Sequence, residues 1–194
     1  MRGDVFLVRH GESEGNRAGI MQGWQDVGLS PRGIRQARLL RPWLAGLRVV
    51  SSDLQRAVET ARLLSDAPET VRVDRRLREV HLGVWQGRRQ DEVMGLPEWA
   101  QYQRSPTTFR CPGGEALSDV QRRMLEVFRE ETARGDQVVL VSHRVAIRTL
   151  LVGLTGQGLA RVHQWEIPNA SVTRVVLEPG GPAVIAVGEV PDSL

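Results

Sequence analysis

The sequence predicts an α/β fold: a three-layer α/β/α sandwich around a central, mostly parallel mixed sheet. Three short apolar runs, at 5–8, in "LRVVSS" and in "DQVVLVS", are typical of strands buried on both faces. Stretches with apolar residues at helical spacing separate these runs, and such alternation indicates a parallel sheet. With 194 residues and 41% hydrophobic content, we expect a single domain spanning 1–194.

In the first half of the chain, helices are expected on either side of the second strand. Ser30 is a plausible N-cap for a helix that runs through 31–44, where apolar residues recur three and four positions apart. Asp53 is predicted to cap another helix, which ends at Leu64. The run "TVRV" is expected to add an edge strand.

The second half contains a less regular segment and then returns to strong patterns. Residues 80–114 hold Gly, Pro and Trp with two short helices, and we expect them to form a lid or substrate-binding insertion. A long helix is predicted over 115–133, and another over 145–154 after the third strand. The closing runs "SVTRVVLEP" and "AVIAVGEV" are expected to pair as a hairpin.

Composition excludes several classes of function. The net charge is +3, and the 26 basic residues, all arginine, are scattered, so nucleic acid is not an expected partner. The longest apolar stretch is interrupted by charged residues, so no membrane partner is expected. The single Cys111 fits a reducing, cytoplasmic location. No metal-ligand spacing is present, and we expect no metal and no cofactor in a monomer or homodimer.

Polar residues follow each of the three predicted buried strands. The first ends on Arg9-His10, the second is followed by Arg56 one helical turn on, and the third by His143-Arg144. Ligands of open α/β sheets bind beyond the carboxyl ends of the strands. Adjacent strands would therefore bring two histidines and at least two arginines into one crevice that selects an anion, with guanidinium groups suited to phosphate oxygens.

These residue types suit phosphoryl transfer. Arg9 and Arg56 would clamp a phosphate and would keep His10 neutral, and therefore nucleophilic, near pH 7. His143 would donate a hydrogen bond to the phosphoryl oxygens in the transition state. Glu79 lies in a segment expected to be flexible. Facing a phosphate dianion it would hold its proton, act as general acid for the leaving group and then serve as base for water.

Each of these residues also has a purely structural interpretation. A histidine after a strand is often a hydrogen-bonded core residue, and Arg56 could form a surface ion pair with Glu59 or Asp53. Glu79 alone is most often a solvated loop carboxylate. The joint placement of the residues at strand ends favours the catalytic hypothesis over these alternatives.

The blocks "LVRHGESEGN", "GWQDVGLSPRGIRQA", "SSDLQRAVETA", "LREVHLGVWQG", "PGGEALSDV" and "VSHRVAIR" resemble the histidine phosphatase superfamily, in its phosphoglycerate-mutase-like branch. They occur in order over nearly the whole chain. The resemblance implies an α/β sandwich and a metal-free site. It implies His10 as the phosphorylated nucleophile, Glu79 as proton donor, Arg9, Arg56 and His143 as the phosphate pocket, and Asn16, Gln22 and Gly23 as phosphate or substrate contacts.

One residue departs from the family pattern. The position after the second histidine, often glycine or another small residue in the family, is Arg144 here. This cation would either bind a second acidic group of the substrate or point away as a surface residue at the start of a helix.

The resemblance leaves the reaction open. Family mutases usually have a longer insertion with more basic residues, whereas 88–112 is short here. We therefore expect a metal-independent phosphomonoesterase that acts on a small phosphorylated metabolite through a phospho-histidine intermediate. The alternatives are a phosphoglycerate mutase and, in another class, a non-catalytic phosphate-binding protein.

Overall fold

A computed structural model describes residues 3–191 and contains one six-stranded sheet with the order β3-β2-β4-β1-β5-β6. The first four strands in this order are mutually parallel, while β5 and β6 run antiparallel to their neighbours. The predicted mixed, mostly parallel sheet is therefore confirmed. The strands are β1 (Val5–Arg9), β2 (Arg48–Ser51), β3 (Arg72–Val73), β4 (Val138–Ser142), β5 (Val172–Glu178) and β6 (Gly181–Glu189).

The register of the parallel strands decides where their polar ends meet. Arg9 at the end of β1 lies opposite Ser142 at the end of β4, and Ser51 of β2 lies opposite Val141. The carboxyl ends of β2, β4 and β1 therefore form one continuous edge. The residues that follow them, which the sequence predicted to converge, leave the sheet side by side.

A short helix, α1 (Glu14–Arg17), follows β1, and longer helices cover both faces of the sheet. On one face pack α2 (Pro31–Leu39), α3 (Arg41–Leu44) and α4 (Gln55–Leu64). The fully buried Ala57, Ala61 and Leu64 of α4 pack in one apolar cluster with Val139 and Val141 of β4. On the other face lie α7 (Leu117–Thr132) and α8 (Arg144–Leu154). Two separate apolar cores result, one on each face of the sheet, as a three-layer sandwich requires.

The segment 80–114 contains α5 (Gln90–Met94) and α6 (Pro97–Arg104), close to the two short helices that were expected. Four aromatic rings hold it together: Trp85 stacks on Phe109 with centroids 5.5 Å apart, and Trp99 and Tyr102 lie 5.2 Å from each other. Trp85 and Trp99 approach to 5.8 Å. This segment is a small packed unit of its own, and we call it the roof, residues 82–112.

Two local predictions were wrong. The helix expected over 31–44 is two helices that meet at Leu40, because Pro42 has no N–H with which to continue the ladder of α2. Asp53 does not cap α4, whose N-cap is Leu54 without a side-chain bond. Instead the Asp53 carboxylate accepts two hydrogen bonds from Arg78, at 2.7 and 2.6 Å. An ion pair with a distant residue thus replaces the local cap.

Candidate active site

A cavity of about 470 Å³ opens at the carboxyl ends of β1, β2 and β4. It is bounded by the loops that follow these strands on one side and by the roof on the other. Nine site residues were predicted from the sequence, and one of them, His143, is not part of the cavity lining. The other eight predicted site residues line it together: Arg9, His10, Asn16, Gln22, Gly23, Arg56, Glu79 and Arg144.

The tautomer of His10 follows from its hydrogen bonds. Its Nδ1 lies 2.7 Å from the carbonyl oxygen of Gly11, which can only accept, so Nδ1 carries the proton. Nε2 is left with its lone pair and accepts from Nε of Arg56 at 3.3 Å. A neutral imidazole whose unprotonated Nε2 lies beside a guanidinium is the arrangement that a nucleophile for phosphorus needs.

Backbone carbonyls hold both guanidinium groups beside this imidazole. Arg56 is almost fully buried, and its terminal nitrogens donate to Gly23 and Gln25 at 2.8 and 2.9 Å. Arg9 donates to the carbonyl of Ile167 at 2.7 Å, while its buried Nε has no partner within the described residues. Neither guanidinium is paired with a carboxylate in that part of the chain, so both keep their charge available for an anion.

Burial lowers the pKa of both arginines. The pKa of Arg9 falls to about 9, through burial first and then through the charge of Arg144. Burial likewise lowers the pKa of Arg56 to about 10. Both values lie above neutral pH, so the two groups remain cations that would be stabilised by a bound phosphate.

His143 lies directly behind His10, with ring centroids 5.0 Å apart. Its Nε2 is 2.9 Å from the hydroxyl of Ser52, which itself accepts from the backbone N–H of Leu54. The hydroxyl proton of Ser52 is thus free to point at Nε2, leaving the proton of His143 on Nδ1. This buried Nδ1 has no hydrogen-bond partner among the residues described. Ser52 therefore orients His143.

The two histidines resist protonation. Burial lowers the pKa of His10 well below its ordinary value of 6.5, and the charges of Arg56 and Arg9 lower it further. The same causes, burial first and then Arg56, act on the pKa of His143. Both rings are therefore neutral throughout the physiological range of pH.

This shared shift predicts how stability depends on pH. Below about pH 6.5 the unfolded chain takes up a proton on each of these histidines, and the folded protein does not. The free energy of unfolding should therefore fall as pH drops from about 6.5 to 5, by about 1.4 kcal/mol per pH unit for each histidine. Urea unfolding at pH 5.0 to 8.0 measures this slope.

The matched variant for this experiment is His143→Asn, which removes one of the two shifted groups. Its slope between pH 6.5 and 5 should be shallower than that of the wild type. An identical slope in the two proteins would show that His143 is not neutral in the folded state.

Glu79 is held from two directions. Its carboxylate accepts from its neighbour Val80 at 3.0 Å and from the first amides of α8, Val145 at 3.2 Å and Ala146 at 3.1 Å. Its backbone carbonyl accepts from the indole of Trp24 at 2.7 Å and from Arg123 at 2.8 Å. The expectation of a flexible segment at Glu79 is therefore wrong, because side chain and backbone are both tied to the body of the protein.

Arg123 is the site residue that sequence reasoning missed. Its guanidinium donates to three backbone carbonyls of the strap, residues 76–79: Arg76 at 2.7 Å, Arg78 at 2.5 Å and Glu79 itself. Glu115 pairs with it at 3.0 Å. The available signal was its place on α7, three residues after Val120 and four before Val127, which puts an arginine on a buried stripe.

We expect Arg123→Met to reduce kcat more for substrates with poor leaving groups than for good ones. The variant removes the guanidinium partner of Glu115 and frees the strap, so the Glu79 carboxyl loses its position as proton donor; the loss should be about 10-fold or more. Rates with an alkyl phosphate and with 4-nitrophenyl phosphate measure the difference.

Arg122→Met is the matched control, because Arg122 lies on the exposed face of the same helix and, among the residues described, pairs with Asp119 alone, at 3.2 Å. Arg123→Lys should recover part of the rate, since it restores the charge but not the three-way contact. A purely structural role for Arg123 would lower both substrates' rates equally.

The remaining predicted contacts belong to one network beneath the cavity. The hydroxyl of Ser13 lies 2.9 Å from Oδ1 of Asn16 and 2.8 Å from Oε1 of Gln22. Asn169 donates to the same Asn16 oxygen at 3.1 Å and to the carbonyl of His10. With Oδ1 engaged, the amide nitrogen is what Asn16 offers to a ligand. Gly23 acts through its carbonyl, which holds Arg56.

The loop after β1 packs so closely on α2 that Gly11 and Gly33 leave no space for a side chain. A Cβ atom on Gly11 would lie 2.5 Å from the carbonyl oxygen of Gly33, and one on Gly33 would meet the backbone of Glu12. The amide of Gly11 also donates to Thr60 of α4 at 3.0 Å. Two helices therefore fix the loop that carries His10.

Other classes of site find little support within residues 3–191. In that range no group of three or more His, Cys, Asp or Glu side chains is placed to hold a metal ion. The longest described helix, α7, has 16 residues. None of the helices in this part of the chain has both the length and the apolar character needed to span a membrane.

The fold and the site together define an α/β protein with a buried histidine in a cationic cavity at the sheet edge. Residues 5–190 match the family model of the histidine phosphatase superfamily (branch 1). The chain belongs to this superfamily, whose members are enzymes. The resemblance noted from its sequence blocks is therefore confirmed.

Three similar proteins show the range of activities in the superfamily. A protein of Yersinia pestis (strain Pestoides F) named "Probable phosphoglycerate mutase GpmB" is 35% identical over 181 residues, covering 88% of this chain and 83% of the relative. The mycobacterial glucosyl-3-phosphoglycerate phosphatase Rv2419c, solved with VO3, is 31% identical with a TM-score of 0.83, covering 96% and 98% of the two chains. A phosphoserine phosphatase variant of Entamoeba histolytica, solved with phosphoserine, is 25% identical with a TM-score of 0.87, covering 99% and 100%.

Proposed function

We propose that the protein is a metal-independent phosphomonoesterase that works through a phosphorylated His10. The observation that carries this proposal is the unprotonated Nε2 of a neutral His10, which accepts from Nε of Arg56 at 3.3 Å, in a cavity that Glu79 also lines. The phosphoryl group of a small phosphorylated metabolite would lie between the guanidiniums of Arg9 and Arg56. Nδ1 of His143 would donate to one of its oxygens.

In the first step Nε2 of His10 attacks phosphorus in line with the ester oxygen. The P–N bond forms as the P–O ester bond breaks, and Glu79 transfers a proton to the departing alkoxide. The carbonyl of Gly11 accepts from Nδ1–H and stabilises the positive charge that develops on the ring. Arg9 and Arg56 stabilise the charge on the equatorial oxygens.

In the second step water attacks the phosphorylated His10 from the side that the alcohol left. Glu79 takes a proton from this water, the P–N bond breaks, and inorganic phosphate departs with His10 neutral again. Met94 and Arg144 both line the cavity and are exposed, so solvent reaches it directly. Access for water favours hydrolysis over return of the phosphoryl group to an alcohol.

The arginines of the insertion support the same choice. Arg89 pairs with Asp91 at 2.9 Å and Arg110 pairs with Asp119 at 2.7 Å, both at exposed positions. Arg88 and Arg104 do not line the cavity either. The roof therefore contributes aromatic and apolar walls rather than a cationic grip that would seal the site around a phosphorylated acid.

Phosphoglycerate mutase is the second candidate, favoured by the 35% identity to the Yersinia relative. The two phosphatases among the similar structures, named for glucosyl-3-phosphoglycerate and phosphoserine, favour hydrolysis instead. A mutase would return the phosphoryl group to a bound hydroxyl before water arrives, and the solvent-open cavity works against that order of events.

The test is a measurement of phosphate release and of phosphoglycerate interconversion on the same preparation, with EDTA present. We expect inorganic phosphate from phosphoserine, 3-phosphoglycerate, sugar phosphates and 4-nitrophenyl phosphate at rates that EDTA does not change. Conversion of 3- to 2-phosphoglycerate without phosphate release would make the protein a mutase. Binding of these esters without either reaction would make it a phosphate-binding protein. With its single cysteine, Cys111, buried, we propose the cytoplasm as its location.

A further inference from the structure

The cavity holds more positive charge than a phosphate monoester can balance. Arg9 and Arg56 together match the two charges of a phosphate dianion, yet Arg144 and Arg148 line the same cavity. Among its carboxyl groups, Glu79 supplies the proton of the proposed first step and adds no negative charge while it holds that proton. Glu115 is occupied by Arg123. The two extra arginines therefore call for an acidic group that the phosphate does not supply.

Arg144 is the first residue of α8, next to His143. Its side chain is exposed, and none of its five N–H groups bonds to another described residue. Its charge nevertheless reaches into the site, since it is the largest charge contribution that lowers the pKa of Arg9. A long cation at the mouth of a cavity, without a carboxylate partner in the described part of the chain, is available to a ligand.

Arg148 lies one helical turn along α8 and is nine-tenths buried. Its Nε donates to the carbonyl of Trp165 at 2.7 Å, which fixes the guanidinium against the cavity wall. Its only carboxylate neighbour in that range is Glu166, at 3.4 Å and 88% exposed, which is a weak partner. Burial and the charge of Arg144 both lower the pKa of Arg148, so an added anion beside it would be stabilised.

His163 completes this end of the cavity. Its Nε2 is buried without a partner among the described residues, and its ring meets Tyr102 edge-on at 5.1 Å. Burial lowers the pKa of His163 first, followed by the charges of Arg148 and Arg144, and all three side chains line the same cavity. A neutral imidazole here offers one hydrogen bond to a ligand that the two arginines attract.

We propose that Arg144, Arg148 and His163 form a second anion subsite, and that the substrate is a short phosphorylated carboxylic acid. The two arginines and the Glu166 carboxylate sum to a net charge of +1, which the carboxylate of a ligand balances. Arg144 directly follows His143, whose ring centroid lies 5.0 Å from that of His10, and Arg148 lies about 6 Å further along α8. The carboxylate would therefore lie on the α8 side of the phosphate. This inference rests on the proposed function, because it assumes that Arg9, His10 and Arg56 hold the phosphate.

The experiment compares two esters that differ only in the acidic group: 3-phosphoglycerate and glycerol 3-phosphate. We expect wild-type kcat/KM to favour 3-phosphoglycerate by about tenfold or more, the range of a hydrogen bond to a charged group. Arg148→Met and Arg144→Met should each reduce that ratio several-fold. Arg144→Met carries no folding risk, because its side chain is exposed and unbonded to the described residues.

The control is Arg35→Met, an exposed arginine of α2 outside the cavity, which changes the net charge equally. Its ratio should equal that of the wild type. Equal preference for the two esters in wild type, or equal losses with both in the Arg144 variant, would overturn the subsite. A bisphosphate ester preferred over 3-phosphoglycerate would overturn its assignment to a carboxylate.

Failure of the proposed function has a different signature. A protein that releases phosphate from neither ester, nor from 4-nitrophenyl phosphate, is not a phosphatase. Calorimetric titration of both esters into the wild type and into Arg144→Met then tests the subsite by affinity alone. Tighter binding of 3-phosphoglycerate that is lost in the variant supports the subsite even so, and equal affinities refute it.

Discussion

Replacement of His10 by alanine should reduce phosphate release by about 10⁴-fold or more, because no other imidazole in the described cavity lining accepts a hydrogen bond from one of the phosphate-binding guanidiniums. His143 is 5.0 Å away between centroids, but its Nε2 is bound to Ser52 and cannot replace the missing electron pair. Steady-state assays with 4-nitrophenyl phosphate measure the loss.

The covalent step has a direct readout. With a ³²P-labelled substrate, quenched wild-type protein should carry label that survives base and is lost in acid, as a phosphoramidate bond requires. The His10 variant should carry none. His81→Gln is the matched control, since His81 is a half-buried histidine outside the cavity. Label retained on the His10 variant would mean that another residue is the nucleophile.

Glu79→Gln should have the second largest effect, a loss of about 10²- to 10³-fold in kcat with alkyl phosphates. The amide keeps the size of the side chain but has no proton to give to an alkoxide. A nitrophenolate leaves without a proton, so its rate of release should fall much less. The contrast between the two leaving groups, measured on the same preparation, identifies Glu79 as the proton donor.

The second step should also slow in this variant, because an amide in place of the Glu79 carboxylate cannot activate water. Labelled phospho-histidine should then accumulate in the variant with 4-nitrophenyl phosphate. Glu98→Gln, which alters an exposed carboxylate on α6 that does not line the cavity, serves as control. Equal losses with alkyl and nitrophenyl esters would contradict the acid role and point to a loss of substrate binding.

The fold and most of the site were predictable because both depend on local patterns. Continuous apolar runs identify buried strands, and the residues that follow them must meet wherever those strands are neighbours in a parallel sheet. His10, Arg56 and Arg144 are placed by this rule alone, whatever the details of packing. The order β2-β4-β1 then brings them to one cavity.

What could not be predicted depends on contacts between distant parts of the chain. Arg123 is 44 residues from Glu79. Its place on the buried stripe of α7 sets it apart from Arg122, but nothing local indicates which carbonyls it binds. Asp53 is of a residue type that favours the N-cap position, but its carboxylate binds Arg78, 25 residues away. Trp24 acts through an indole N–H on a carbonyl 55 residues along the chain. Each of these pairings is set by tertiary packing, which overrides local preference.

The double anchoring of Glu79 makes the position of the proton donor independent of the roof, residues 82–112. Trp24, Arg123 and the first turn of α8 tie the acid to the layers of the sandwich, and none of these contacts involves the aromatic unit over 82–112. That unit can therefore vary in sequence while the proton donor keeps its place. Substitutions within it should change which esters enter, and leave the bond-breaking apparatus as it is. An enzyme built in this way can change its selectivity among phosphate esters through substitutions in one surface segment, the roof.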